Sequence, residues 1–299
     1  MKLVQVSATA AVMAVAMATW PEGAQAADFS DTAIGYRYGT QYREPFDPDD
    51  IGKHIVSLTH ASAYKYGSNF FDVDLLKSDA HDPASGGGGG AHEAYTTFRT
   101  TLSLSKTLSV RTNHGAIRDV GITGGFDFNA KDDQFSARVF KLSLGPKVSF
   151  NVPGFFDVAI VWRSERNHNW FATPPGFGGA GCMPSASQAC NPDVHFKDTA
   201  ALEAAWMIPF ALGWPAKFQG FLEYAGAKGR DGTGAETAPE TLLEMALLWD
   251  VGSPMGHKGA IFAGLDYQYW KNKFGSDASK DPTGGSTARV PQVELEWHF

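Results

Sequence analysis

Long apolar runs are missing from this chain. After residue 27 no stretch of about eighteen apolar residues occurs, so no helix long and greasy enough to cross a membrane is expected. Basic residues are in deficit, 25 against 32 acidic, for a net charge of −7. That leaves too little positive surface to displace the counterions of a nucleic acid, so no nucleic-acid partner is expected. Cysteine is scarce: Cys182 and Cys190 are the two in 299 residues. CxxC, HExxH and phosphate-loop patterns are absent, and with them the commonest sequence signs of redox, zinc and nucleotide chemistry. The Gly86–Gly90 run lacks the strand and helix that a phosphate cradle needs and reads as a flexible loop between His81 and His92. No cofactor, metal site or internal repeat is read from the chain.

Glycine and aromatic residues are plentiful, with 33 glycines and 13% aromatics, and they suit an all-β chain with many turns. The ends of the chain are the most informative parts. Residues 1–26 carry Lys2, a small and apolar run from Ala8 to Trp20, and Ala24-Gln25-Ala26, a small-x-small site. This is the pattern of a cleavable secretory signal, cut before Ala27. Its removal takes one base (Lys2) and one acid (Glu22), so the net charge stays at −7. An exported chain meets an oxidising compartment. Cys182 and Cys190, eight apart in one loop-like stretch, therefore read as a local disulfide, with free thiols or a metal pair as alternatives. At the other end Val293, Leu295 and Trp297 alternate with Glu294, Glu296 and His298 before the terminal Phe299, a strand with one apolar and one charged face.

A chain closing on an aromatic at the end of such a strand resembles bacterial outer-membrane β-barrels. The resemblance implies that Phe299 is the signal read by the barrel-assembly machinery. The interior supports it. Twelve segments alternate in this way, beginning near residues 32, 53, 69, 93, 118, 135, 155, 196, 217, 241, 260 and 290. In the segment from Phe135 to Phe150, for example, Phe140, Leu142, Leu144 and Val148 oppose Lys141, Ser143 and Lys147. Long polar connections alternate with short ones, so both termini fall on the short-turn, periplasmic side. The fold class expected is an all-β transmembrane antiparallel barrel of about twelve strands in residues 27–299, located in the outer membrane and in contact with its lipid.

The inward faces are mixed in charge, which favours a neutral polar solute over an ion filter. They also carry aromatics that a water-filled wall does not require: Phe70, Tyr95, Phe155, Phe221, Phe262 and Trp270. Such rings offer stacking faces to a base or a sugar; packing among lumen side chains is the alternative. The strand count, the length, the stretch Tyr64-Lys65-Tyr66-Gly67-Ser68-Asn69-Phe70-Phe71-Asp72-Val73-Asp74 and the early Gly35-Tyr36-Arg37-Tyr38-Gly39 together resemble the Tsx-like nucleoside-specific channels. The firm part of that likeness is roughly residues 28–80; the Cys182–Cys190 region matches nothing in the family. It implies passive passage of nucleosides along pore-lining residues, here Arg37, Phe70, Asp72, Asp74, Tyr95 and Arg99. Two other classes compete. One is a general porin or a structural barrel. The other is an outer-membrane lipid hydrolase, for which His60-Ala61-Ser62 has the His-x-Ser spacing on a lipid-facing strand, but at the periplasmic end and with no identifiable orienting acid.

Overall fold

The computed structural model describes residues 29–85, 88–132, 136–172 and 190–299. The signal segment 1–26, the cleavage point before Ala27 and Cys182, hence the expected Cys182–Cys190 bridge, lie outside the described residues. The strands are β1 (Phe29–Tyr42), β2 (Ile51–Tyr64), β3 (Gly67–Ser78), β4 (His92–Ser103), β5 (Ile117–Asp132), β6 (Arg138–Phe150), β7 (Phe155–His168), β8 (Asp193–His195), β9 (Thr199–Ala211), β10 (Pro215–Ala225), β11 (Glu240–Asp250), β12 (Ile261–Lys271) and β13 (Thr287–His298). Each barrel strand pairs antiparallel with its sequence neighbours. β1 closes on β13, and β7 pairs directly with β9. The three-residue β8 extends only the outer end of β7. The result is a closed barrel of twelve strands, which leaves no free sheet edge.

The hydrophobic pattern is inside out. Leu265 and Ile160 are each 62% exposed, and Leu75, Leu144, Val293 and Trp297 are likewise open on the outer wall. Facing inward, Arg163, Asp127 and Asp250 are each only 2% exposed. A continuous apolar belt of this kind would be untenable in water, and hydrocarbon is the solvent that suits it. Aromatic pairs edge the belt on the short-turn side: Phe150 on Phe156 at 5.2 Å, Trp206 on Phe218 at 5.8 Å and Trp297 on Phe299 at 5.4 Å between ring centres. Tyr36, Tyr38, Tyr267 and Tyr269 face outward toward the other edge, a placement suited to headgroup level. Phe299 lies just past β13, its backbone N–H donating to Thr32 O at 2.9 Å.

The alternating connections take the expected form. Turns such as 65–66, 151–154 and 212–214 lie on one rim, and loops 43–50, 79–91, 226–239 and 272–286 on the other. Three boundaries differ from the sequence reading. The predicted sixth strand begins at Arg138 rather than Phe135. The predicted eighth, whose alternation from Phe196 turns Lys197 inward, begins instead at Thr199, which leaves Lys197 in a loop and not on the lumen wall. The turn after β4 contains a short helix, α1 (Leu104–Leu108), capped by Ser103, whose Oγ accepts from Lys106 N; Leu104 is therefore helical and not a lipid-facing strand residue. Alternation alone does not reveal a one-turn helix of five residues. Placing a charge in the outer belt should cost what lipid demands. Leu265→Arg is expected to destabilise the barrel by about 2–4 kcal/mol in urea unfolding from phospholipid vesicles. An unchanged or stabilised variant would mean that this wall faces water.

Candidate functional site: the charged lumen

Strict alternation turns Arg37 on β1, Asp72 and Asp74 on β3, Tyr95 and Arg99 on β4 and Phe70 on β3 into the barrel, as expected from sequence. The barrel then brings them together in two groups. Arg37 reaches Asp74 at 2.5 Å and also bonds Glu244 of β11, so one guanidinium links strands on both sides of its own. In cross-strand register Tyr95 lies beside Asp74, and Arg99 beside Phe70. Arg99 pairs with Asp127 of β5 at 2.8 Å and crosses to Glu203 of β9 at 3.3 Å. Asp72 accepts from the Thr59 hydroxyl at 2.6 Å and has no basic partner among the described residues.

The remaining lumen charges continue the lattice. Arg163 on β7 bonds Glu223 of β10 and holds Glu203 at 2.8 Å. Lys217 on β10 bonds Glu296 of β13, and Lys147 holds Asp157 at 2.8 Å. Gln292 donates to Asp266 and accepts from Tyr42. These partners are distant in sequence; Arg37 and Glu244 are 207 residues apart. No sequence spacing pairs them, because which charges meet depends on barrel diameter and stagger. Glycine helps the wall coil inward: a Cβ on Gly125, the register partner of Arg99, would lie 1.9 Å from Phe98 O.

The inward aromatics divide in two. Phe262 is covered by Lys217 at 4.4 Å and by His298 edge-on at 5.3 Å. Trp270 donates to Glu240 at 2.7 Å and packs on Phe274 at 5.0 Å. Phe70 and Phe221 keep 39% and 37% of their surface open. Phe70 stands beside Arg99, and Phe221 beside Glu244. Each is an accessible ring next to a charged hydrogen-bonding group.

The outer mouth is tied by a charge cluster drawn from the ends of β2 and β5 and from the outer loops. Glu44 accepts from Lys273 at 3.1 Å and Lys53 at 3.2 Å, with Lys131 at 3.8 Å. Lys131 also reaches Asp82 at 2.8 Å. Asp281, in the last outer loop, accepts from Phe46 N in the first at 3.1 Å. Burial alone would raise the Glu44 carboxyl, but the three ammonium groups, Lys273 foremost, outweigh it and hold it well below the usual carboxylate range. Burial pushes the Lys273 ammonium down to about 8; Glu44 offsets only part of that effect, and Lys53 adds to it. Contact with an acid within the loops did not single these residues out, since loop sequences carry no periodicity to read.

His60 and Ser62, the hydrolase candidates, share the outward face of β2 near the short-turn rim. The His60 Nδ1 is hydrogen-bonded to Thr32 Oγ1 at 2.9 Å, a hydroxyl where an orienting carboxylate would stand in a triad.

No family model matches the chain, and no curated protein is similar to it. Among solved structures, the KdgM porin in complex with disordered oligogalacturonate aligns at 11% identity over 89% of this chain and 99% of that one, with a TM-score of 0.42. The NanC porin aligns at 8% identity over 90% and 99%, TM-score 0.43. The translocator domain of the autotransporter NalP from Neisseria meningitidis aligns at 10% identity over 97% and 94%, TM-score 0.45. At these identities and scores the chain is similar to outer-membrane barrels in strand architecture and no further.

Two outcomes test the lumen and the mouth. Arg163→Met takes from buried Glu223 its guanidinium and leaves Glu203 to Arg99 alone, and should cost about 3–5 kcal/mol in denaturant unfolding; a loss below about 1 kcal/mol would show the lattice to be slack. At Lys273 the folded-state pKa lies below the unfolded one, 10.5, so between pH 8 and 10.5 the unfolded chain binds more protons and stability rises with pH. The slope is at most about 1.4 kcal/mol per pH unit. In thermal unfolding across that window, Lys273→Met should flatten the rise; an identical rise in the variant would place the titration elsewhere.

Proposed function

We propose that this chain forms a narrow outer-membrane channel for passive diffusion of small polar solutes, with nucleosides as the class its lumen suits best. The observation that carries the reading is the pair of lumen rings left open, Phe70 and Phe221, each beside a charged side chain. A base stacks on such a face, and ribose hydroxyls are hydrogen-bonded by neighbouring carboxylates and guanidinium groups. Stacking of this kind is worth about 1–3 kcal/mol per base, weak enough for release. The process needs no cofactor or energy source. The placement rests on the apolar outer belt and the closed barrel, with lipid and the assembly machinery as proposed partners. A second reading, a general porin or a structural barrel, draws on the ion pairs that cross the lumen, Arg37–Glu244 and Arg99–Glu203.

Liposomes carrying the purified protein distinguish these readings. Nucleoside uptake should saturate with concentration and exceed that of sugars of matched size. Phe70→Ala with Phe221→Ala should cut nucleoside uptake at low concentration about fivefold or more and leave sugar uptake nearly unchanged. Equal slowing of both solutes would indicate a general pore, and absence of uptake a structural barrel.

A further inference from the structure

On the outer wall, just below the long-loop rim, strands β3 to β7 form a shallow cleft of about 690 Å³. One register row runs across its floor: Leu75, Ala94, Ala130, Arg138 and His168 are successive cross-strand partners. The two alanines make the depression, because they are the smallest side chains in the row. The row nearer the rim is Lys77, His92 and Asp132. The row nearer the membrane centre is Val73, Thr96, Phe128, Phe140 and Arg166. A small-residue floor is thus bounded by cationic groups above and to one side, and it opens downward onto apolar rings.

Arg138, Arg166 and His92 are exposed, Lys77 is half-buried, and none of them makes an ion pair with another described residue. Asp132 is the carboxylate of the roof. His168 is already held by Asp193 at 2.7 Å and lies edge-on to Trp170 at 6.4 Å between ring centres. Unpaired arginines on a lipid-facing wall are costly unless they sit at headgroup depth and meet an anion there. The floor row and the aromatic row beneath it are two residues apart on each strand, about 7 Å at about 3.4 Å per residue, roughly the step from a headgroup to the start of an acyl chain.

We infer that this cleft binds one phosphorylated lipid of the outer leaflet. Arg138 and Arg166, diagonal neighbours on β6 and β7, hold the phosphate, bidentate contact being available to both, and Lys77 borders the site on the rim side. The Ala94–Ala130 floor accepts the sugar or glycerol backbone, and an acyl chain descends over Phe128 and Phe140. The inference rests on the outer-membrane placement proposed above, but it involves none of the pore-lining residues.

Native mass spectrometry of the full barrel released from mild detergent tests it, with lipid A, its enzymatically dephosphorylated form and inorganic phosphate as probes. The wild type should retain lipid A at least tenfold better than the dephosphorylated form and show no retention of free phosphate. Arg138→Glu with Arg166→Glu should lose that preference at least tenfold, while Lys271→Glu on the far wall leaves it intact. Ion conductance of each variant, measured in parallel, reports whether the barrel is folded and separates failure of the lipid site from failure of the channel reading. Equal retention of the two lipids by the wild type, or undiminished preference in a conducting double variant, would overturn the proposal. Retention of phosphate alone would reassign the cleft to a soluble anion.

Discussion

Most charged side chains that point into this closed twelve-stranded barrel find a counter-charge across the lumen or along the wall, and the rest of this structure depends on that pairing. The outer wall carries the apolar half of every alternating strand, so the polar half goes to the interior. Arg37, Arg99 and Arg163 each bridge two carboxylates, with bonds running from β1 to β3 and β11, from β4 to β5 and β9, and from β7 to β9 and β10. Arginine suits these positions because its planar fork engages two acceptors at once, which a lysine ammonium does less rigidly. Because the pairs join strands far apart around the wall, they fix the diameter and cross-section of the barrel in a way that ladder hydrogen bonds alone do not.

The lattice also shapes the lumen. Paired charges span it, and two of its aromatic rings are taken up in packing, Phe262 against Lys217 and Trp270 against Phe274. Phe70 and Phe221 escape that use and supply the flat apolar faces that remain. At the outer mouth, Glu44 gathers lysines from β2, β5 and the last outer loop, so the loops are anchored to the barrel by the same device that braces its interior. Charge pairing thus acts at two levels, wall to wall and loop to wall.

Much of this architecture was legible in the sequence because a strand has a period of two and a membrane punishes every exception. The facing of Arg37, Asp72, Asp74, Arg99, His60 and Ser62 followed from counting, as did strand number and the alternation of long and short connections. Other features do not follow from counting. Arg37 meets Glu244 only once β1 has closed on β13, so counting turns both side chains inward without pairing them. The helix after β4 is too short to imprint a 3.6-residue period. Lys197 looked inward because alternation was extended two residues past the point where β9 begins. The mouth cluster is a product of loop folding, for which no periodic signal exists.

The most direct measurement is single-channel current through the purified barrel in a planar lipid bilayer, with and without adenosine. A narrow lumen with open stacking rings gives small, discrete current steps that adenosine reduces in a saturable manner, while ribose at the same concentration has little effect. Absence of current, or large steps indifferent to adenosine, would contradict the proposed channel.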